Sequence, residues 1–372
     1  MIRLILILIF MLLAFFFASK DLNISYEKRR LQFIKVCIFL LILQSGLRNW
    51  AVGADTYQYF LRFESAKGES WQDLVADILN FEGKDPFYTL FQKFFQLFSS
   101  NYQWYLIFVA LIFMPALGYF IYKNTTKIRH ALLAFIIYMG NFYGFFSITG
   151  IRQTISTALL LWSYQYIKER KLLVFTILVL FAGLFHLSAL IFFPLYFVAE
   201  LKRPKLIFRL ALFGFPFAMV FKNQLAVFFV RFIDAQDRFG VYSEQYEKGG
   251  SYVLTAFHVL LAIWALGLFT KMMSIVPTTY RMYNTFALAL FFFPLQWVNP
   301  SAGRIAQYFT IVIMIWIPYL LDAASMNQPK RREFLYIITI IFLISATLFA
   351  ITLDEYKFFW QDMKLPQNYY IY

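Results

Sequence analysis

The chain is poor in charge and has almost no cysteine. Of its 372 residues, 15% are charged and one, Cys37, is a cysteine. A soluble domain carries about 25% charged residues, so this composition cannot cover a water-facing surface. A lone thiol excludes an intramolecular disulfide framework, and no Cys/His cluster has the spacing of a metal site. There is no glycine-rich phosphate loop, no G-x-S-x-G elbow and no H-E-x-x-H helix, which argues against nucleotide hydrolysis. Aspartate and glutamate are missing from the middle of the apolar stretches, which argues against a proton- or sodium-coupled pump. Internal repeats and low-complexity linkers are also missing. Residues 1–372 are therefore expected to form a single integral membrane domain.

What is present in excess is apolar. Hydrophobic residues make up 61% of the chain and aromatics 22%, with a mean hydropathy of +0.63. The expected class is an all-α polytopic membrane protein. Crossing a bilayer takes about 17 to 25 apolar residues. Segments of this kind are read at 2–18, 31–47, 102–122, 131–147, 153–167, 172–185, 187–199, 206–221, 252–270, 282–298, 305–321 and 334–352, about twelve spans. The sixth and seventh are short and are alternatively one hairpin dipping in around His186. The first resembles a signal-peptide core, but Phe15, Phe16 and Phe17 make a poor cleavage context, so it is expected to be retained.

The net charge of +14 would suit a nucleic-acid partner if it were clustered, but the basic residues are dispersed between apolar spans. Juxtamembrane anchoring beside membrane lipids explains them better. Nineteen of them fall in one set of short loops and adjoining helix ends, from Lys20, Lys28, Arg29 and Arg30 through to Lys330, Arg331 and Arg332. By the positive-inside rule these loops are cytoplasmic, and with twelve spans both termini face outward.

Two outer loops are long enough to fold. In 48–101, Trp71, Leu74, Val75, Ile78 and Leu79 form one helical stripe, and Phe87, Leu90, Phe91, Phe94, Phe95 and Phe98 form another. Asp85 followed by Pro86 reads as a helix N-cap with proline at the first helical position. Two amphipathic surface helices are expected, serving either as a cover for the bundle or as a wall over a groove. The second loop, 222–250, mixes tyrosines with carboxylates around Arg238, a composition suited to carbohydrate.

Four arginines fall on the outer side by this topology: Arg48, Arg152, Arg304 and, less clearly, Arg238. A charge at the bilayer centre costs roughly 2.5 to 3.5 kcal/mol, and less near helix ends. Arg152 begins the fifth span at a helix N-terminus, where the dipole disfavours a cation. A bound anion removes that conflict. Arg304 repeats the arrangement at the eleventh span, with Tyr308 one turn below. The plainer reading of both is snorkelling to lipid phosphates. In 48–57, Arg48 sits at headgroup level, Gly53 permits a turn, and Asp55, Thr56 and Tyr57 offer a carboxylate and two hydroxyls; interfacial anchoring and helix capping are the plainer roles. His186, at the outer turn, can take or give a proton near neutral pH, or simply bridge helices. His258 reads as structural, and His130 lies on the cytoplasmic side.

These residues also carry a family likeness. The chain resembles the EpsG-type members of the Wzy-like polysaccharide polymerases in four ordered stretches. They are 48–57; Ile151, Arg152 and Gln153 leading into a helix that ends at residues 168–171; 185–190 around His186; and 304–309, from Arg304 to Tyr308 and Phe309. The family more often has Thr where this chain has Ala54. The resemblance implies work at the outer leaflet of the bacterial inner membrane. A growing glycan moves from undecaprenyl pyrophosphate to a hydroxyl of a lipid-linked repeat unit, with no cofactor and no obligatory metal. It implies undecaprenyl-pyrophosphate-linked oligosaccharides as partners, with a chain-length regulator as a further candidate. On that basis Arg152 and Arg304, assisted by Arg48 and Arg238, are expected at pyrophosphate. Asp55 or His186 is expected as general base, with a slight preference for Asp55. Thr56, Tyr57, Gln153 and Tyr308 are expected near substrate. A ligase using the same donor and a flippase for lipid-linked oligosaccharide are the alternatives. Loss of a ligase would strand polymer on its carrier, whereas a flippase needs a cavity open alternately to both sides.

Overall fold

A computed structural model describes the chain except residues 20–23, 54, 81–84, 226, 228–250, 299, 352–355 and 364–372. Nearly all of the second loop, Arg238 included, therefore lies outside the described residues. Among those described, the architecture is helical, with one isolated antiparallel bridge between Arg48 and Phe358. Two helices are long and apolar enough to cross a membrane unbroken, Tyr102–Asn124 and Tyr252–Ile275. A pair bent by 50°, Gly303–Thr310 with Ile313–Ala324, makes a third if taken as one span. The other expected spans land on helices, but several are short or broken, so helix length does not establish twelve crossings.

Where one bundle is expected, the chain groups into two compact units. The first contains Met1–Gln165, Leu180–His186 and Ile338–Tyr372, and the second Tyr166–Val179 and Leu187–Ile337. In the first unit the opening helices are α1 (Ile2–Ala18) and α2 (Tyr26–Gly46). The loop 48–101 holds three helices rather than two: α3 (Thr56–Ser65), α4 (Trp71–Asn80) and α5 (Pro86–Gln96). Then come α6 (Tyr102–Asn124), α7 (Ile128–Asn141), α8 (Ile151–Lys168), in the first unit up to Gln165, and α9 (Leu172–Phe185), in the first unit from Leu180. Helices α2 and α6 approach closely because Gly118 has no side chain. A Cβ there would lie 2.7 Å from Ile38 Cγ1, and small residues are what let membrane helices meet backbone to backbone.

The predicted fourth span ends early. Helix α7 stops at Asn141 and a π-helical segment, Gly144–Thr149, takes over. The Ser45 hydroxyl donates to the Ser147 carbonyl at 2.9 Å, and Tyr138 and Ser147 share a hydroxyl hydrogen bond of 2.7 Å. These contacts fix the turn from which α8 departs, and Arg152 is in its first turn. Of the two predicted surface helices, α4 buries only Leu74 and leaves Val75 and Leu79 exposed. Helix α5 buries Tyr88, Gln92 and Phe95, so its inward face is rotated from the predicted stripe, and Phe94 and Phe98 lie exposed.

In the second unit the predicted seventh span is not a regular helix. Residues 187–199 form a 3-10 segment, Leu187–Phe192, and one short turn, α10 (Leu195–Val198). The Asn284 side-chain amide braces the end of this irregular backbone, donating to the Val198, Ala199 and Leu201 carbonyls at 2.9, 3.1 and 3.0 Å. Glu200 at the end of the segment accepts from Tyr280 at 2.8 Å and pairs with Arg281. Helices α11 (Pro204–Val220), α12 (Tyr252–Ile275) and α13 (Tyr280–Phe292) follow. Next are α14 (Pro300–Thr310), α15 (Ile313–Ala324) and α16 (Pro329–Ile351), which from Ile338 on belongs to the first unit. Trp316 anchors the core of this unit, with Tyr283 and Phe286 rings 4.9 and 5.0 Å away. His258 is buried and bonds the Leu254 carbonyl of its own helix at 2.7 Å, the structural role expected of it.

Candidate functional site

The site in the first unit is organised by Asp85. The predicted cap position is correct, since Asp85 immediately precedes α5 and Pro86 is its first residue. The predicted use of the side chain is not, because the carboxylate makes no capping bond to its own helix. Asp85 instead adopts φ 52°, ψ 62°, a left-handed conformation. Few non-glycine residues adopt it, and the residue before a proline is normally extended. This backbone turns the carboxylate away from α5. Its Oδ2 accepts from Arg152 at 2.5 Å and lies 3.4 Å from His186 Nδ1. The paired Asp85 and Arg152 side chains are each 11% exposed, and His186 is 25% exposed.

Aromatic packing holds the three residues in register. Phe87 and Phe91, on the first two turns of α5, each meet Phe185 edge-to-face at 5.0 Å, and Phe185 immediately precedes His186. The Arg152 guanidinium lies over the rings of Tyr59 and Tyr88, 5.7 and 6.0 Å from their centroids. Its Nε is buried with no protein acceptor among the described residues. Arg62, one turn beyond Tyr59 on α3, is close enough to feel this charge. Burial, and after it the Arg152 charge, holds the Arg62 guanidinium below the usual arginine range. Burial pushes the Tyr88 phenol well above its ordinary value, so it stands here as a neutral hydroxyl. Two guanidinium groups thus lie within electrostatic reach of the Asp85 carboxylate, among the rings of Tyr59 and Tyr88.

The other expected site residues fall elsewhere. Arg48 is 2% exposed, not at a lipid surface. Its guanidinium donates to the Ser45 carbonyl at 2.5 Å and reaches the Ser45 hydroxyl at 3.4 Å, closing the C-terminal end of α2. Backbone from the far end of the chain covers the turn: Asn49 N–H donates to the Lys357 carbonyl at 2.8 Å, and Phe359 N–H to that of Leu47 at 2.9 Å. Thr56 is fully buried and donates to the Val52 carbonyl at 2.6 Å, so its hydroxyl holds the turn rather than facing a ligand. Gly53 has φ 108°, as a tight turn there requires. Asp55 begins α3 half-buried, without a side-chain capping bond. Tyr57 is half-buried against Trp50 at 6.0 Å. Gln153 is buried beside Arg152 on α8.

In the second unit Arg304 is half-buried on α14. Gly303 lets that helix rest on the turn before it, since a Cβ would lie 2.7 Å from Gln296 Cβ. Tyr308, one turn on, is buried and shares a hydroxyl hydrogen bond of 3.0 Å with Ser188. Two of the family-like stretches, 185–190 and 304–309, therefore meet through their hydroxyls. Asp85 and Arg62 are the residues that sequence reasoning missed. An aspartate before a proline signals a cap. Arg62 offered one available sign, its place on α3 one residue before buried Phe63 and three after buried Tyr59.

A helical, apolar architecture with helices long and apolar enough to cross a bilayer defines a membrane protein. Residues 31–362 match the EpsG family, and the chain belongs to that family of Wzy-like polysaccharide polymerases, membrane proteins of polysaccharide biosynthesis. Searches of curated proteins and of solved structures return no match.

Proposed function

We propose that the chain is a polysaccharide polymerase of the bacterial inner membrane, working on the side away from the cytoplasm. It transfers a growing glycan from undecaprenyl pyrophosphate to a sugar hydroxyl of a lipid-linked repeat unit. Arg152, seconded by Arg62, grips the donor pyrophosphate and stabilises the charge that develops as it leaves, an electrostatic role of the oxyanion-hole type. His186 takes the proton of the attacking hydroxyl, a role worth roughly 10²–10⁴-fold. It replaces Asp55 as the favoured base because it shares a carboxylate with the pyrophosphate-binding arginine. Arg304 is assigned to pyrophosphate on its motif alone. The single observation that carries the reading is the Arg152–Asp85–His186 cluster, in which two residues from family-like stretches converge on one carboxylate.

The test is purified protein in detergent with lipid-linked repeat units. Wild type should build a ladder, Arg152→Ala and His186→Gln should not, and Asp55→Asn should retain most of the rate. A ladder from both Arg152→Ala and His186→Gln would refute the assignment. Transfer that produces no ladder but moves glycan to a lipid core would point to a ligase.

A further inference from the structure

Asp85 is bound by the site yet suited poorly to its own helix, and its geometry bears on which nitrogen of His186 is basic. A carboxylate can only accept hydrogen bonds. With Asp85 Oδ2 at 3.4 Å from His186 Nδ1, the ring nitrogen facing it is the one that carries the proton. A neutral imidazole then has its lone pair on Nε2, directed away from Asp85. The same oxygen accepts from Arg152 at 2.5 Å, so one atom contacts both the guanidinium and the ring. The left-handed backbone that makes this possible is one few non-glycine residues adopt, and it comes without a capping bond to α5. A residue held this way at a functional site is a reason to ask what it holds. The edge-to-face contacts of Phe87 and Phe91 with Phe185 keep α5 and the His186 turn from drifting apart.

We propose that Asp85 is a positioning residue that holds His186 in its Nδ1–H tautomer, leaving Nε2 as the proton acceptor for the incoming sugar hydroxyl. This rests on the polymerase reading above for the identity of the substrate. In the transfer step the acceptor O–H gives its proton to Nε2 and its oxygen forms a bond to the anomeric carbon. The bond from that carbon to the pyrophosphate oxygen breaks, and the electron pair leaves with the pyrophosphate under the Arg152 guanidinium. Asp85 stabilises the imidazolium so formed without itself taking the proton. The ring returns to neutral when the proton passes to solvent or to the departing diphosphate.

The chain has three histidines, so nitrogen-15 histidine spectra of the protein in nanodiscs can be assigned, with His186→Gln removing one signal set. Wild type should show His186 as the Nδ1–H tautomer. Asp85→Asn tolerates the left-handed backbone but presents an amide that can donate to Nδ1, and should switch the ring toward Nε2–H. In the ladder assay Asp85→Asn should lower kcat by about 10- to 100-fold without raising KM for the lipid-linked unit. The loss in the Asp85→Asn/His186→Gln double variant should fall well short of the product of the two single losses. A wild-type Nε2–H tautomer, a tautomer unchanged in Asp85→Asn, or additive losses in the double variant would overturn the proposal. An Nδ1–H wild type whose ring switches in Asp85→Asn, but which builds no ladder, would sink the polymerase reading and leave the Asp85–His186 pairing standing.

Discussion

Asp85→Gly should be more stable than Asp85→Ala, the reverse of the order the two residues follow inside a helix. Both variants remove the carboxylate, and hydrogen bonds to charged groups contribute about 1.5–3 kcal/mol. Both therefore lose the 2.5 Å contact with Arg152 and leave its guanidinium half-buried beside that of Arg62. They differ in the backbone. Alanine at φ 52° meets the Cβ clash of the left-handed region, about 1–2 kcal/mol. Glycine meets none, but gives back roughly 0.4–1 kcal/mol through its freer unfolded chain. Glycine should lead by about 1 kcal/mol. At a regular helix position it would trail by about the same amount, so the sign alone is diagnostic. The assay is thermal unfolding in one detergent at one scan rate, where about 1 kcal/mol corresponds to roughly 2 °C in a chain of this size. Alanine at or above glycine would refute the left-handed geometry, and with it the reason the carboxylate faces Arg152 and not its own helix.

Arg62→Gln should lower kcat/KM for the lipid-linked donor about 10-fold, through loss of one charge-assisted contact, whereas Arg62→Lys should keep most of it; steady-state kinetics on the ladder assay decide it. Gly53→Ala places a Cβ 2.6 Å from Thr56 Oγ1 and 2.8 Å from Ile148 Cγ2 at φ 108°, and should destabilise the protein by about 3 kcal/mol, read as lower yield and a lower melting temperature. Tyr308→Phe and Ser188→Ala should each cost about 1 kcal/mol. The double variant should cost less than their sum, because the two hydroxyls are each other's partners; a thermal double-mutant cycle showing additivity would contradict the 3.0 Å contact.

Membrane class and most helix positions were readable because hydropathy and helical period are local properties. Helix α9 falls at Leu172–Phe185, as its apolar run predicts. The adjoining run 187–199 is equally apolar yet folds irregularly. Asn284, far along the chain, braces the end of that segment by donating to three carbonyls there. Hydropathy weighs each residue's own transfer energy and cannot register that supply. Arg48 shows the same limit from the other side. Its position at the end of a span was legible, but its partners, the Ser45 carbonyl and the backbone around residue 358, decide that it braces a helix end.

The site divides along the same line. Arg152 and His186 could be found because an ionisable group at the end of an apolar span is costly unless it has a purpose. Asp85 could not, because an aspartate before a proline already has a sufficient local explanation as a cap. That explanation fails only once the backbone is seen to be left-handed and the carboxylate is seen to reach residues 67 and 101 positions away. The sequence signal for a cap and the structural use as an anchor coincide at one residue, and a cap would have needed neither the strain nor the exclusion from water.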